Sequence, residues 1–131
     1  MIEPQPRQVK TVLIGAKALI STPEAWIQKT SALDAKGKKT PCTSNNAVCW
    51  CALGAIWRAV EDAFPEKGEH AVAAGQWALK FLEKVITGNI TMDGKKFWVS
   101  ESADVLLKYN DSHSHDDVMG TFDKAIAKLV A

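Results

Sequence analysis

The stretch Ala47-Val48-Cys49-Trp50-Cys51-Ala52-Leu53-Gly54-Ala55-Ile56-Trp57-Arg58-Ala59-Val60 decides how this chain is read, because Arg58 is its only charge. At ~100° per residue, Val48, Ala52, Ala55, Ile56 and Ala59 fall on one stripe of a helix, with Leu53 and Val60 beside it. Trp50, Gly54 and Trp57 fall on the opposite stripe. A helix that is apolar all round is buried all round. The spacing therefore predicts a central helix over about residues 46–61, capped by Ser44, Asn45 or Asn46. Gly54, set between two tryptophans, marks a place where another backbone or a ring approaches closely. Replacing it by Leu is expected to cost ~1–3 kcal/mol through overpacking.

Working outward from that helix, Trp26 to Pro41 lacks a 3.6 period. It alternates and carries the turn Asp34-Ala35-Lys36-Gly37-Lys38, so it reads as a small β-hairpin with Lys39-Thr40 as the return strand. Upstream, Pro4 and Pro6 hold the entry extended, and Val9, Val12, Leu13, Ala16, Leu19 and Ile20 recur at helical spacing until Ser21-Thr22-Pro23 stops them. Downstream, Ala71, Ala74, Ala78, Phe81, Leu82 and Val85 mark a third helix that ends near Thr87-Gly88-Asn89. Asp93-Gly94 signals a second hairpin over Asn89 to Val99. Ser100 or Ser102 then caps a short helix through Ala103, Leu106 and Leu107. Tyr109-Asn110-Asp111-Ser112 reads as a turn, and Ser114 with Asp117 opens a last helix that buries Val118, Phe122, Ala125, Ile126 and Leu129.

These elements predict a mainly α, compact single domain over residues 1–131, with four to five helices around a central apolar helix and one or two small β-hairpins. The composition agrees: 131 residues, 47% hydrophobic and 24% charged, with a formal charge of +1. A binder that neutralises many phosphates shows a basic surplus, so no nucleic-acid partner is expected. No membrane partner is expected either, since no apolar run reaches ~18 residues. The first residues lack a signal-peptide layout, and three cysteines suit a reducing compartment, so the expected location is cytoplasmic.

Several short motifs recur together: Trp26 before a hairpin with Asp34 and Gly37 in its turn, then Trp50-Cys51 followed by Gly54-Ala55, then Tyr109-Asn110-Asp111, then Asp123 ahead of Ala125-Ile126. In these the chain resembles a family of small bacterial and phage proteins known only as a domain of unknown function. The resemblance covers nearly the whole chain. Cys49 and the Asn89 to Val99 segment depart from the pattern. The resemblance implies the fold outline and a bacterial or phage cytosolic origin, and it implies no activity.

Chemistry must then be sought in the residues themselves. Cys49 and Cys51 at i,i+2 on a helix stand ~200° apart and cannot chelate one metal. Cys42 does not complete a zinc set. Asn110 to Asp117 is dense in ligand atoms, including His113 and His115, but matches neither a calcium loop nor a zinc helix. No metal and no cofactor are therefore expected. A nucleophilic thiol would need a base, which His113 or His115 would supply with Asn110 or Asp111 orienting it. Lys36, Lys38, Lys39, Lys95 and Lys96 read as solvated hairpin tips.

Two functional readings follow. The first is a non-catalytic cytosolic accessory or binding module for a protein or small ligand, bacterial or phage-related, in which Trp26, Trp50, Cys51, Asn110, Asp111, His113 and His115 bind the ligand or partner. The second is a small cysteine-dependent enzyme using Cys51 with His113 or His115. In both, Trp26, Cys51, Asn110 and Asp111 are expected to lie close together.

Overall fold

Helix α1 (Pro6–Leu19) begins where the two prolines predicted, and Gln8 closes its first turn by accepting the Gln5 N–H at 3.0 Å. Its buried face is Val9, Val12, Leu13 and Ala16. The chain leaves it through a single 3₁₀ turn at Pro23–Ala25. This is a computed structural model that describes residues 4–66, 68–88 and 99–129.

The Asp34 turn forms as expected. The Asp34 carboxylate accepts the N–H groups of Lys36 and Lys38, and Gly37 takes the left-handed φ of 79° that the turn requires. Its return arm comes back as expected but short of a full strand, with an antiparallel bridge from Leu33 to Lys39, the Asp34 N–H on the Lys38 carbonyl at 2.9 Å and the Thr40 N–H on the Ala32 carbonyl at 3.2 Å. The strand partner of β1 (Ala32–Asp34) is instead β2 (Ala47–Trp50), antiparallel, with Ala32 opposite Trp50 and Leu33 opposite Cys49. The expected helix over 46–61 is thus corrected. Residues 47–50 are a strand, and α2 runs Ala52–Ala63 with Cys51, not Ser44, Asn45 or Asn46, as its N-cap. A short apolar run has the same look in a buried strand and a buried helix. Here the pairing with β1 decides for the strand.

Helix α3 (Glu69–Thr87) stops at Gly88, whose φ of 86° makes a left-handed C-cap. Of the second expected hairpin, Asn89 to Val99, residues 89–98 lie outside the described residues, and Val99 is helical. Helix α4 (Val99–Ser112) is longer than expected at both ends, so neither Ser100 nor Ser102 caps it. Ser102 lies inside it, buried, and donates to the Glu83 carboxylate at 2.9 Å. Tyr109 to Ser112 is the last turn of α4 rather than a free turn. Helix α5 (His115–Ala127) carries the predicted capping box, with the Ser114 hydroxyl accepting the Asp117 N–H.

The protein is a mainly helical domain, with five helices and one two-stranded antiparallel hairpin among the described residues. Helices α1, α2, α3 and α5 enclose a core in which Leu13, Ile56, Leu79 and Phe122 are fully buried. Each such side chain contributes about 1.5–3 kcal/mol of burial. Two glycines let the helices close up. A Cβ at Gly15 would sit 3.4 Å from the Ala59 Cβ, and one at Gly75 would strike the Trp57 ring at 2.5 Å. Among the described residues, no helix is long and apolar enough to cross a membrane.

Candidate functional site

Asn110 sits on the last turn of α4 with its side chain fully buried. A buried amide must satisfy two donors and an acceptor oxygen, or it destabilises the fold. Asn110 does so across the whole chain. Its Oδ1 accepts the Trp26 Nε1–H at 2.7 Å and the Ala52 N–H at 3.0 Å. Its Nδ2 donates to the Ile27 carbonyl at 3.0 Å and to the Asp111 carboxylate at 3.3 Å. One side chain therefore ties the 26–31 loop to α4 and to the first N–H of α2, a group that no helical partner can satisfy.

Asp111 extends the same tie. Its Oδ1 accepts the Lys29 N–H at 2.8 Å, and Lys29 is the only described non-glycine residue with positive φ, at 72°. Gln28 reaches over the end of α4, donating to the Asn110 and His113 carbonyls at 3.0 and 3.2 Å. Those are terminal helix carbonyls, so Gln28 serves α4 as a C-terminal cap from a distant segment.

Around this tie the expected residues separate into two groups. Trp26, Asn110 and Asp111 come together, and Cys51 lies beside them, one residue before the N–H that Asn110 receives. His115 packs its ring 5.7 Å from that of Trp26 and bonds the Ile20 carbonyl through Nε2 at 2.7 Å. Trp50 turns away. Its Nε1–H is given to the Cys42 carbonyl at 2.9 Å, and the Arg58 guanidinium lies 5.5 Å from its ring centre. His113 stacks on Tyr109 at 3.8 Å, with Nδ1 3.1 Å from the Tyr109 carbonyl and 3.0 Å from the Ser112 hydroxyl.

Residues 4–128 match the family described as a family of unknown function, DUF6197. The chain belongs to DUF6197. No curated protein and no solved structure matches this DUF6197 chain.

The Cys51 thiol in this DUF6197 protein is 1% exposed and caps α2, accepting the Gly54 N–H at 3.4 Å. Burial pushes it above the ordinary thiol value, and the nearby Asp111 charge adds to the rise, against the lowering by the Gly54 N–H. That is the reverse of what activates a nucleophilic cysteine. The hydrogen bonds of His113 and His115 go to main-chain carbonyls or to Ser112. Among the described residues, no three His, Cys, Asp or Glu side chains gather as a metal set. Surface clefts lie at other places, such as one of about 180 Å³ lined by Pro4, Pro6, Val9, Trp77, Phe81 and Leu129.

Gln28, Lys29 and Arg58 are the participants that sequence reading missed in this DUF6197 chain. Gln28 and Lys29 look like any exposed loop residues, and nothing local signals that α4 will accept them. Arg58 carries a signal: a lone cation on an apolar helix needs a partner. It finds Asp62 on its own helix and the Ser44 carbonyl at 2.7 Å.

Proposed function

We propose that this DUF6197 chain is a non-catalytic binding module of a bacterial or phage cytosolic protein, taking a protein or small-ligand partner. The observation that carries the reading is that the Asn110 amide is wholly committed to Trp26, Ile27, Ala52 and Asp111. A side chain so committed holds elements in place and is not available to a substrate. The raised thiol of Cys51 supports the same reading. Three free cysteines and the motif resemblance support the origin.

The binding face we assign is the exposed rim of Gln28, Lys29 and His113 above the buried amide. A left-handed lysine costs ~1–2 kcal/mol and persists only where the surroundings over-determine it. Loops held on a rigid scaffold are where recognition is usually sited. Trp26, Cys51, Asn110, Asp111 and His115 then support that face from below.

Iodoacetamide labelling of the native protein near neutral pH tests the non-catalytic reading. Slow labelling of all three cysteines is the expected result. Fast, selective labelling of Cys51 overturns it and favours a cysteine-dependent enzyme.

A further inference from the structure

Residues 41–46 form a strap of turns across the N-terminal end of α2. It is held by Trp50 Nε1–H on the Cys42 carbonyl and by Arg58 on the Ser44 carbonyl. The strap places Cys42 and Cys51 on the same residue, Gly54. The Cys51 sulfur is 3.4 Å from the Gly54 nitrogen, and the Cys42 Cβ is 3.3 Å from the position a Gly54 Cβ would take. The Ser31 carbonyl, which accepts the Cys51 N–H at 3.1 Å, shares this space over Gly54, 2.2 Å from the same Cβ position. Cys49 is engaged elsewhere, with its thiol 4.0 Å from the Leu33 carbonyl on β1.

We propose that Cys42 and Cys51 are an oxidation site, joined as a disulfide when the protein meets a hydroperoxide. Cys42 is half-buried and reacts first, whereas Cys51 is sealed behind it. The Cys42 sulfur attacks a peroxide oxygen. The S–O bond forms, the O–O bond breaks, and with hydrogen peroxide one water leaves. The Cys51 sulfur then attacks the Cys42 sulfur. The S–S bond forms, the S–O bond breaks, and the hydroxyl leaves as water with the Cys51 proton. Two thiols are oxidised and one peroxide is reduced to two waters. A dithiol reductant reverses the bridge.

A disulfide needs its Cβ atoms ~3.5–4.5 Å apart. The strap contains no helix or strand, so it can supply the approach. Burial raises both thiols, and each feels its neighbours' charge, including that of Cys42 on Cys51. The reaction is therefore slow at neutral pH and quickens as pH rises. Its structural consequence is specific: a bridged Cys51 no longer offers the same cap to Gly54. The inference stands apart from the binding-module reading, because the bridge forms or fails whichever partner the protein takes.

The test uses the full chain, treated with hydrogen peroxide at mildly alkaline pH, quenched with N-ethylmaleimide and cleaved after Trp50 with chymotrypsin. The expected product is a chain lighter by two hydrogens, with a peptide pair joined through Cys42 and Cys51 that dithiothreitol separates. Cys49→Ser should keep this product. Cys51→Ser, whose hydroxyl still caps α2, should lose it. A bridge to Cys49, a bridge between two chains, oxygen added to Cys42 alone, or unreacted thiols would each overturn the proposal.

Discussion

Trp26 and Asn110 stand 84 residues apart in the chain and share a hydrogen bond of 2.7 Å. The same amide oxygen also takes the Ala52 N–H, so the indole, the end of α4 and the start of α2 meet at one atom. Asn110→Ala would leave the Trp26 Nε1–H, the Ala52 N–H and the Ile27 carbonyl without their partner. At ~1–3 kcal/mol for each buried group left unpaired, partly offset by water, the expected loss is roughly 2–5 kcal/mol. Urea unfolding measures it, and a double-mutant cycle with Trp26→Phe should return a coupling above about 0.5 kcal/mol. Additive losses would mean that the two side chains do not support each other.

Gly54 gives the clearest packing prediction. A methyl group there would lie 2.2 Å from the Ser31 carbonyl oxygen, a main-chain atom that cannot simply rotate away. Gly54→Ala should therefore destabilise by about 1–3 kcal/mol, despite the gain in helix propensity. At Gly15 a methyl would meet only the Ala59 Cβ, at 3.4 Å. Gly15→Ala should be neutral or raise stability by up to ~1 kcal/mol. Equal effects at the two sites would count against this packing.

Lys29 is held at a φ of 72° by the Asp111 carboxylate on its N–H. Lys29→Gly removes the steric cost, ~1–2 kcal/mol, and adds unfolded-chain entropy of ~0.4–1 kcal/mol. The net expectation is a protein as stable as the parent or up to about 1 kcal/mol more so. Asp111→Ala, which removes the acceptor, should lower stability. Thermal unfolding of both variants provides the comparison, and a clearly destabilised Lys29→Gly would show that the lysine side chain itself contributes.

The buried thiols predict a pH dependence. Burial raises the Cys51 value in the folded state, so the fold binds that proton more tightly than the unfolded chain does. The stability this contributes is complete below the unfolded thiol value and is lost as pH rises through the folded one. Urea midpoints measured from neutral to strongly alkaline pH should therefore fall. The fall should be shallower in Cys51→Ser, and parallel profiles would remove Cys51 as a cause.

Helices α1, α3 and α5 were legible because their signals are local: Pro6 at the first turn, Gly88 at a left-handed stop, Ser114 paired with Asp117 three residues on. Such signals act between neighbours, so a linear reading captures them. The closeness of Trp26, Asn110 and Asp111 also had a basis in the residues, since Tyr109 to His115 gathers an aromatic, an amide, a carboxylate and two histidines in one short run.

Two segments were settled by contacts between distant parts of the chain. Ala47 to Trp50 has the apolar character of a helix face, yet Ala32 to Asp34 offers it ladder hydrogen bonds, and a strand results. Tyr109 to Ser112 has the composition of a turn because Asn, Asp and Ser compete with helix through their own side chains. In the folded chain two of those side chains are drawn off, Asn110 by Trp26, Ile27 and Ala52, and Asp111 by Lys29, while the Ser112 hydroxyl donates back to the Lys108 carbonyl within the helix. Gln28 meanwhile covers the carbonyls that end α4. With the Asn110 and Asp111 side chains spent on distant segments, helix is the conformation that satisfies the backbone of 109–112. Partners 58 to 84 residues away leave no periodicity, and so their effect emerges only when the helices pack.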